Sequence, residues 1–219
     1  MALDIKICGL KTNEAVEAAI ANGASHIGFI FFPKSPRNIS FLQAAALCET
    51  VAKRAKTVAV TVDADNLFLD DLVHIVKPDM LQLHGHETPR RVAEIKKRYN
   101  LPVMKAISVH TAPDLQNAIP YREVSDRILF DAKAPQGSNL PGGNGVSFDW
   151  QLLNNFDSDM DYMLSGGLRI ENIHDALTTI SPSGIDVSSG VESEPGVKDL
   201  ALMNGFFNAV QNALIAQQK

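Results

Sequence analysis

Residues 5–32 read IKICGLKTNEAVEAAIANGASHIGFIFF. Two short apolar runs, IKICG at 5–9 and HIGFIFF at 26–32, flank an Ala-rich segment at 13–22. Runs of that length, bounded by Gly and polar residues, predict buried strands, and the segment between them predicts a helix. Thr12-Asn13-Glu14 supplies a capping side chain at the helix start. Two strands joined through a helix lie parallel, because the chain must cross back before it can run in the same direction again.

The same unit recurs outward along the chain. Further strands are predicted at 57–62 (TVAVTV), 80–84 (MLQLH), 102–108 (PVMKAIS), 127–132 (RILFDA), 162–165 (YMLS) and 184–188 (GIDVS). Helices are predicted at 40–53, 67–76, 88–99, 113–118, 148–154, 171–180 and 197–215, with Ser40 and Thr88-Pro89 as start signals. The segment at 113–118 is short and is stopped by Pro120. Eight strands alternating with eight helices predict an α/β fold with a parallel sheet. Right-handed crossovers repeated so often in so short a chain close the sheet into a (β/α)8 TIM barrel. No linker interrupts it, so residues 1–219 are expected to form a single catalytic domain.

Bulk properties agree. The 219 residues fall within the roughly 200 to 400 usual for this barrel. Hydrophobic residues at 45% and charged residues at 21% suit a soluble globular chain. A formal net charge of −5 argues against duplex nucleic acid as partner, but leaves room for an anionic ligand held by local positive groups. No run of about 18 apolar residues predicts a membrane span, and MALDIKICGL lacks the basic and apolar regions of a leader. Cys8 and Cys48 are too few for a disulfide scaffold and match no zinc spacing. A reducing, cytoplasmic setting is expected, with a free-standing chain that is a monomer, a homodimer being the alternative.

In such barrels the site sits where the strands end. The polar groups there are Cys8, Arg37, Gln82, His84, Asp131, Asp186 and the turns SGG (165–167) and SSG (188–190). Glycines in those two turns, at Gly166, Gly167 and Gly190 beside Ser189, let backbone N–H groups approach a ligand, which predicts a phosphate site; tight strand-to-helix turns are the alternative. Lys6 and Cys8 share one strand face. Cys8 is either core filling or an acid–base group, and Lys6 is placed to lower its pKa. Asp131 follows ILF, where burial favours the protonated carboxyl a general acid needs; an ion pair with Lys133 or Lys105 is the alternative. Arg37, in SPR, can grip a carboxylate bidentately or lie solvated. His84 and His86 have no third ligand at a plausible spacing, so no metal is expected. The stretch 134–147, APQGSNLPGGNGVS, with Gly142, Gly143 and Gly145, reads as a lid after the sixth strand, or as an inert surface loop.

These residues resemble a known family from end to end. KICGL (6–10), GFIFFPKSPR (28–37), LQLHGHE (81–87), FDA (130–132), PGGNGVSFDW (141–150), LSGGL (164–168) and DVSSGVESEPGVKD (186–199), in this order, are similar to the phosphoribosylanthranilate isomerase family. The resemblance implies an Amadori rearrangement of a phosphorylated small molecule, without metal or organic cofactor. It implies Cys8 as general base, Asp131 as general acid and Arg37 on the anthranilate carboxylate. Gly166, Gly167, Ser189 and Gly190 would hold the phosphate, with Gln82, His84 and Asp186 as further substrate contacts. The chain departs from the family pattern at VTVDAD after the third strand and at GGNG where GGTG is usual. Rivals on the same barrel are a sugar-phosphate isomerase of histidine biosynthesis, which calls for paired aspartates, and indole-glycerol phosphate synthase, which calls for lysine and glutamates. Cys8 fits neither. A non-catalytic phosphate-binding barrel would lack the acid–base pair.

Overall fold

The computed structural model describes residues 3–135, 137–138, 140–156 and 160–217. Eight parallel strands form a closed barrel in sequence order: β1 (Asp4–Cys8), β2 (His26–Phe31), β3 (Lys56–Thr61), β4 (Met80–Leu83), β5 (Val103–Val109), β6 (Arg127–Ala132), β7 (Tyr162–Leu164) and β8 (Gly184–Val187). The ring shuts where β1 pairs with β8, Lys6 opposite Asp186 and Ile7 opposite Val187. Among the described residues six α-helices pack outside: α1 (Asn13–Ala21), α2 (Phe41–Val51), α3 (Asn66–Val76), α4 (Pro89–Tyr99), α5 (Ile173–Thr179) and α6 (Leu200–Ala216). Among the described residues no helix is long and apolar enough to cross a membrane.

The three predicted caps are in place. Thr12 Oγ1 accepts from Ala15 N at 3.2 Å, Ser40 Oγ from Gln43 N at 3.2 Å, and Thr88 Oγ1 from Arg91 N at 3.3 Å. Three helix expectations need correction. The segments after β5 and β6 are 3₁₀ helices, Ala112–Tyr121 and Trp150–Asn155. Pro120 inside the first offers no N–H and crowds an α-helical turn, so the tighter wind prevails there. The last helix begins at Leu200, not at 197, because Val197–Lys198 (β10) pairs antiparallel with Glu192–Glu194 (β9) in a small hairpin. Asp199 then caps α6 by accepting from Ala201 N and Leu202 N. Between β6 and the 3₁₀ helix at Trp150, the described part of 134–147 forms no helix or strand; positions 136 and 139 lie outside the described residues.

Two apolar layers hold the barrel. Most buried residues, such as Ile7, Ile27, Leu81, Phe130 and Phe206, join one cluster between strands and helices. A second cluster of Val58, Met80, Met104, Ala106, Leu129 and Met163 fills the barrel's interior. Unbranched methionines suit this narrow, irregular space. Side chains two residues further along the same strand face lie one layer higher. Above Met80 and Leu129 this brings Gln82 and Asp131, so the polar site stands directly on an apolar floor.

Candidate active site

One cleft opens at the C-terminal ends of the strands and encloses about 760 Å³ of space free of atoms, its mouth included. Cys8, Arg37, Gln82, His84 and Asp131 line it. So do Asp186, Gly142, Gly143, Gly166, Gly167 and Ser189. The expected groups from β1, β2, β4, β6, β7 and β8 thus converge. Gly145 and Gly190 stand behind the wall: a Cβ on Gly190 would overlap the Leu168 carbonyl oxygen, and one on Gly145 would sit 3.8 Å from Ser189 Oγ.

Cys8 is buried on β1. Gly28, opposite it on β2, makes room, since a Cβ there would lie 3.0 Å from both Cys8 Sγ and Lys6 Nζ. Lys6 Nζ donates to Asp186 Oδ1 at 2.9 Å, and neither side chain is more than 6% exposed. Burial would push the Lys6 ammonium down, yet the Asp186 carboxylate holds it above its ordinary value. Lys6 does pull the thiol down, as its place on the strand suggests, but it does not prevail. Burial pushes the Cys8 thiol up and outweighs the pull of Lys6, while Asp186 adds to the rise.

Arg37 is not a solvated surface residue. It is 4% exposed, and its Nε and Nη2 donate to Glu192 Oε1 and Oε2, each at 2.8 Å. Nη2 also reaches the Gly143 carbonyl at 3.4 Å, and Nη1 lies beside Gly143, where a Cβ would come within 2.8 Å. Glu192 Oε1 also accepts from Lys198 Nζ at 2.7 Å, and Oε2 from Gly196 N at 3.2 Å. Lys198 continues to the Ser188 carbonyl at 2.9 Å, and Ser188 Oγ donates to the Cys8 carbonyl at 3.0 Å. Burial would raise the Glu192 carboxyl, but Arg37 and Lys198 together hold it below the usual carboxylate range. Glu192 and Lys198 were not among the sequence candidates. Their signal was the charged pair in VESEPGVKD, a stretch that carries the family resemblance but of which only the part from 197 onward was read as helix.

Asp131 pairs with neither Lys133 nor Lys105. Lys105 bonds Glu87 at 2.9 Å, while Asp131 Oδ2 lies 3.2 Å from His84 Nε2 and Oδ1 accepts from Ala132 N at 3.0 Å. His84 Nδ1 meets Gln82 Nε2 at 3.1 Å. Gly142 lies against this pair, since a Cβ on it would overlap Asp131 Oδ2 and crowd His84 Nε2. The Gly-rich segment therefore reaches Asp131 at Gly142 and Arg37 at Gly143.

The two Gly turns pack together. Gly166 (φ +90°) and Gly167 (φ +63°) adopt left-handed backbone that a side chain would strain. The Gly167 carbonyl is tied back by Asn172 Nδ2 at 2.9 Å. Among the described residues the N–H groups of Gly166 and Gly167 meet no protein acceptor. Free donors of this kind suit an anion.

Together, fold and cleft define a (β/α)8-barrel enzyme type with its ionisable groups gathered at the strands' C-terminal ends. Residues 5–209 match the model of the family described as N-(5'phosphoribosyl)anthranilate (PRA) isomerase, and the chain belongs to that family. It is 62% identical over 213 residues to the N-(5'-phosphoribosyl)anthranilate isomerase of Brucella canis, covering 97% of this chain and 96% of that one. The phosphoribosyl anthranilate isomerase structure from Thermotoga maritima superposes with a TM-score of 0.85 at 32% identity, covering 96% of this chain and 100% of that one. A phosphoribosyl anthranilate isomerase solved in complex with reduced 1-(o-carboxyphenylamino)-1-deoxyribulose 5-phosphate gives a TM-score of 0.82 at 31% identity, with the same coverage.

Proposed function

We propose that this chain is the isomerase of tryptophan biosynthesis that converts N-(5'-phosphoribosyl)anthranilate to 1-(2-carboxyphenylamino)-1-deoxyribulose 5-phosphate. The observation that carries the mechanism is the placing of Cys8 on β1 and Asp131 on β6 in one cleft, with Arg37 and the paired Gly turns at its edges. A thiol and a carboxyl on separate strands can serve opposite sides of one sugar ring.

Asp131 protonates the furanose ring oxygen, the C1–O bond breaks, and a protonated Schiff base forms. The iminium acidifies the C2 proton, and the Cys8 thiolate removes it to give an enolamine. Ketonisation places a proton on C1 and releases the one on the C2 hydroxyl oxygen, so the protons balance. Burial opposes the thiolate, and Lys6 is the cation that favours it. Arg37, with two of its nitrogens committed to Glu192, turns the rest of its guanidinium to the substrate carboxylate. The free amides of Gly166 and Gly167, with Ser189, take the phosphate. The Gly142–Gly143 segment covers the imine and keeps water from it.

The test generates the substrate in situ from anthranilate and phosphoribosyl pyrophosphate, with excess indole-glycerol phosphate synthase, and follows anthranilate fluorescence. Wild type turns over, while Cys8→Ala and Asp131→Ala lose at least about 10²-fold in kcat with the fold intact. A near wild-type rate in either variant overturns the assignment. We read the chain as a single-domain monomer of the cytoplasm. Its large exposed apolar side chains (Leu42, Leu67, Ile119, Val197, Leu200 and Ile215) are spread over five elements, and sedimentation velocity tests this.

A further inference from the structure

Gln82 is fully buried at the top of the barrel's apolar floor. Its Nε2 faces His84 Nδ1 at 3.1 Å, while its Oε1 has no hydrogen-bond partner among the described residues. His84 Nε2 faces Asp131 Oδ2 at 3.2 Å. With Asp131 as carboxylate and His84 neutral, these contacts set the direction of each hydrogen bond. An Asp131 carboxylate offers only lone pairs, so His84 must present N–H at Nε2. A neutral imidazole then carries its lone pair at Nδ1, and only an N–H can satisfy it. Gln82 must therefore turn its amide nitrogen to His84. The reversed amide would demand Nδ1–H and would aim the imidazole lone pair at Asp131.

We propose that Gln82 is a positioning residue that locks His84 in the Nε2–H tautomer, so that the acidic proton of Asp131 is kept off His84 and presented to the substrate. The proposal rests on reading Asp131 as the general acid. Were Nε2 unprotonated, a protonated Asp131 would donate into it, and the ring oxygen would have to compete with an imidazole for the same proton. With His84 N–H on Oδ2 and Ala132 N–H on Oδ1, both of these approaches are occupied by donors. The proton must then sit on a lone pair that faces neither. The unpartnered Gln82 Oε1 is the cost of holding this orientation. A buried carbonyl left without a donor is tolerated better than a buried amide NH2 left without acceptors.

The experiment is long-range ¹H–¹⁵N correlation of the imidazole nitrogens in the full-length enzyme at neutral pH. The protein has six histidines, and the His84 signals are assigned by their loss in His84→Gln. Wild type is expected to show the Nε2–H tautomer. Gln82→Glu, whose carboxylate only accepts, is expected to show Nδ1–H with kcat lowered about tenfold or more and KM changed less than about threefold. Gln82→Met removes the donor at similar volume, and is expected to show mixed tautomers and a smaller kcat loss. An Nδ1–H tautomer in wild type overturns the proposal, as does a Glu variant with reversed tautomer and unchanged kcat. Should the Glu variant not fold, the wild-type spectrum and the Met variant still decide. Absence of turnover by the wild type would sink the functional reading instead and leave the tautomer measurement standing.

Discussion

Glutamine at position 192 is the substitution whose effect the geometry sizes best. Glu192 lies at the centre of a buried ion cluster, and its side chain is 3% exposed, against 4% for Arg37 and 3% for Lys198. It accepts from Arg37 Nε and Nη2, from Lys198 Nζ and from Gly196 N. An amide has one accepting atom, so Glu192→Gln turns an NH2 towards at least one cationic donor and leaves two buried cations without a counter-charge. Removing one partner of a buried pair costs about 3–5 kcal/mol, and the isosteric amide belongs at the low end, about 3 kcal/mol. For a chain of this length that is a fall in Tm of about 6–12 °C. Arg37 also loses the brace that orients it, so KM for the substrate should rise more than kcat falls. Thermal unfolding by circular dichroism and the coupled fluorescence assay measure the two effects. Because the pair is buried, the Tm difference should persist in 1 M salt, where exposed pairs are screened. A variant with Tm within about 2 °C of wild type and an unchanged KM would refute the argument that Glu192 holds Arg37.

Burial pushes His26 from its ordinary 6.5 down to about 4, against the opposing pull of Asp4. The unfolded chain then binds a proton that the folded chain refuses, so stability is complete above pH 6.5 and is lost as pH falls towards 4, by up to about 3 kcal/mol; urea titrations across that range should show a slope that His26→Gln flattens, and an equal slope in both proteins would disprove it. Gly142→Ala puts a methyl onto Asp131 Oδ2 and His84 Nε2; displacing the covering segment should lower kcat about 10²-fold with little change in Tm, and wild-type kcat would show that the segment does not seat there during turnover. Burial pushes the Cys8 thiol up and the Cys48 thiol to about 11; iodoacetamide should therefore modify native enzyme far more slowly at pH 7 than free cysteine, and equal rates would contradict the buried thiol.

The parts of this molecule legible in its sequence are those governed by local periodicity. The unit at 5–32 announced β1, α1 and β2, and the side chains of Thr12, Ser40 and Thr88 bond where their spacing put them. Cys8 and Asp131 could be found because strand ends can be located, and strand ends in this architecture face the cleft. Contacts made across the seam that closes the ring could not be found. Glu192 meets Arg37 155 residues away, and Asp186 meets Lys6 180 residues away. Nothing in the local pattern of either carries that information. The hairpin at Glu192–Lys198 was missed, and its second strand taken into the last helix, because its two strands span three and two residues, too short to show an alternation. The net rise of the Cys8 thiol was out of reach for a related reason: sequence shows Lys6 as a neighbour but not the desolvation that outweighs it.

The seam between β1 and β8 has a consequence for how the molecule comes into being. Cys8 leaves the ribosome well before Asp186 and Ser188, which brace its strand and follow 178 and 180 residues later (186 − 8 and 188 − 8). A nascent chain that has completed six strands already carries thiol and carboxyl, but has neither Gly turn nor the carboxylate that neutralises Lys6. Catalysis cannot precede the docking of the final strand, so the appearance of turnover marks the end of folding itself. Such long-range closure also makes the last step the slow one, because the paired strands β1 and β8 are separated by all six strands between them.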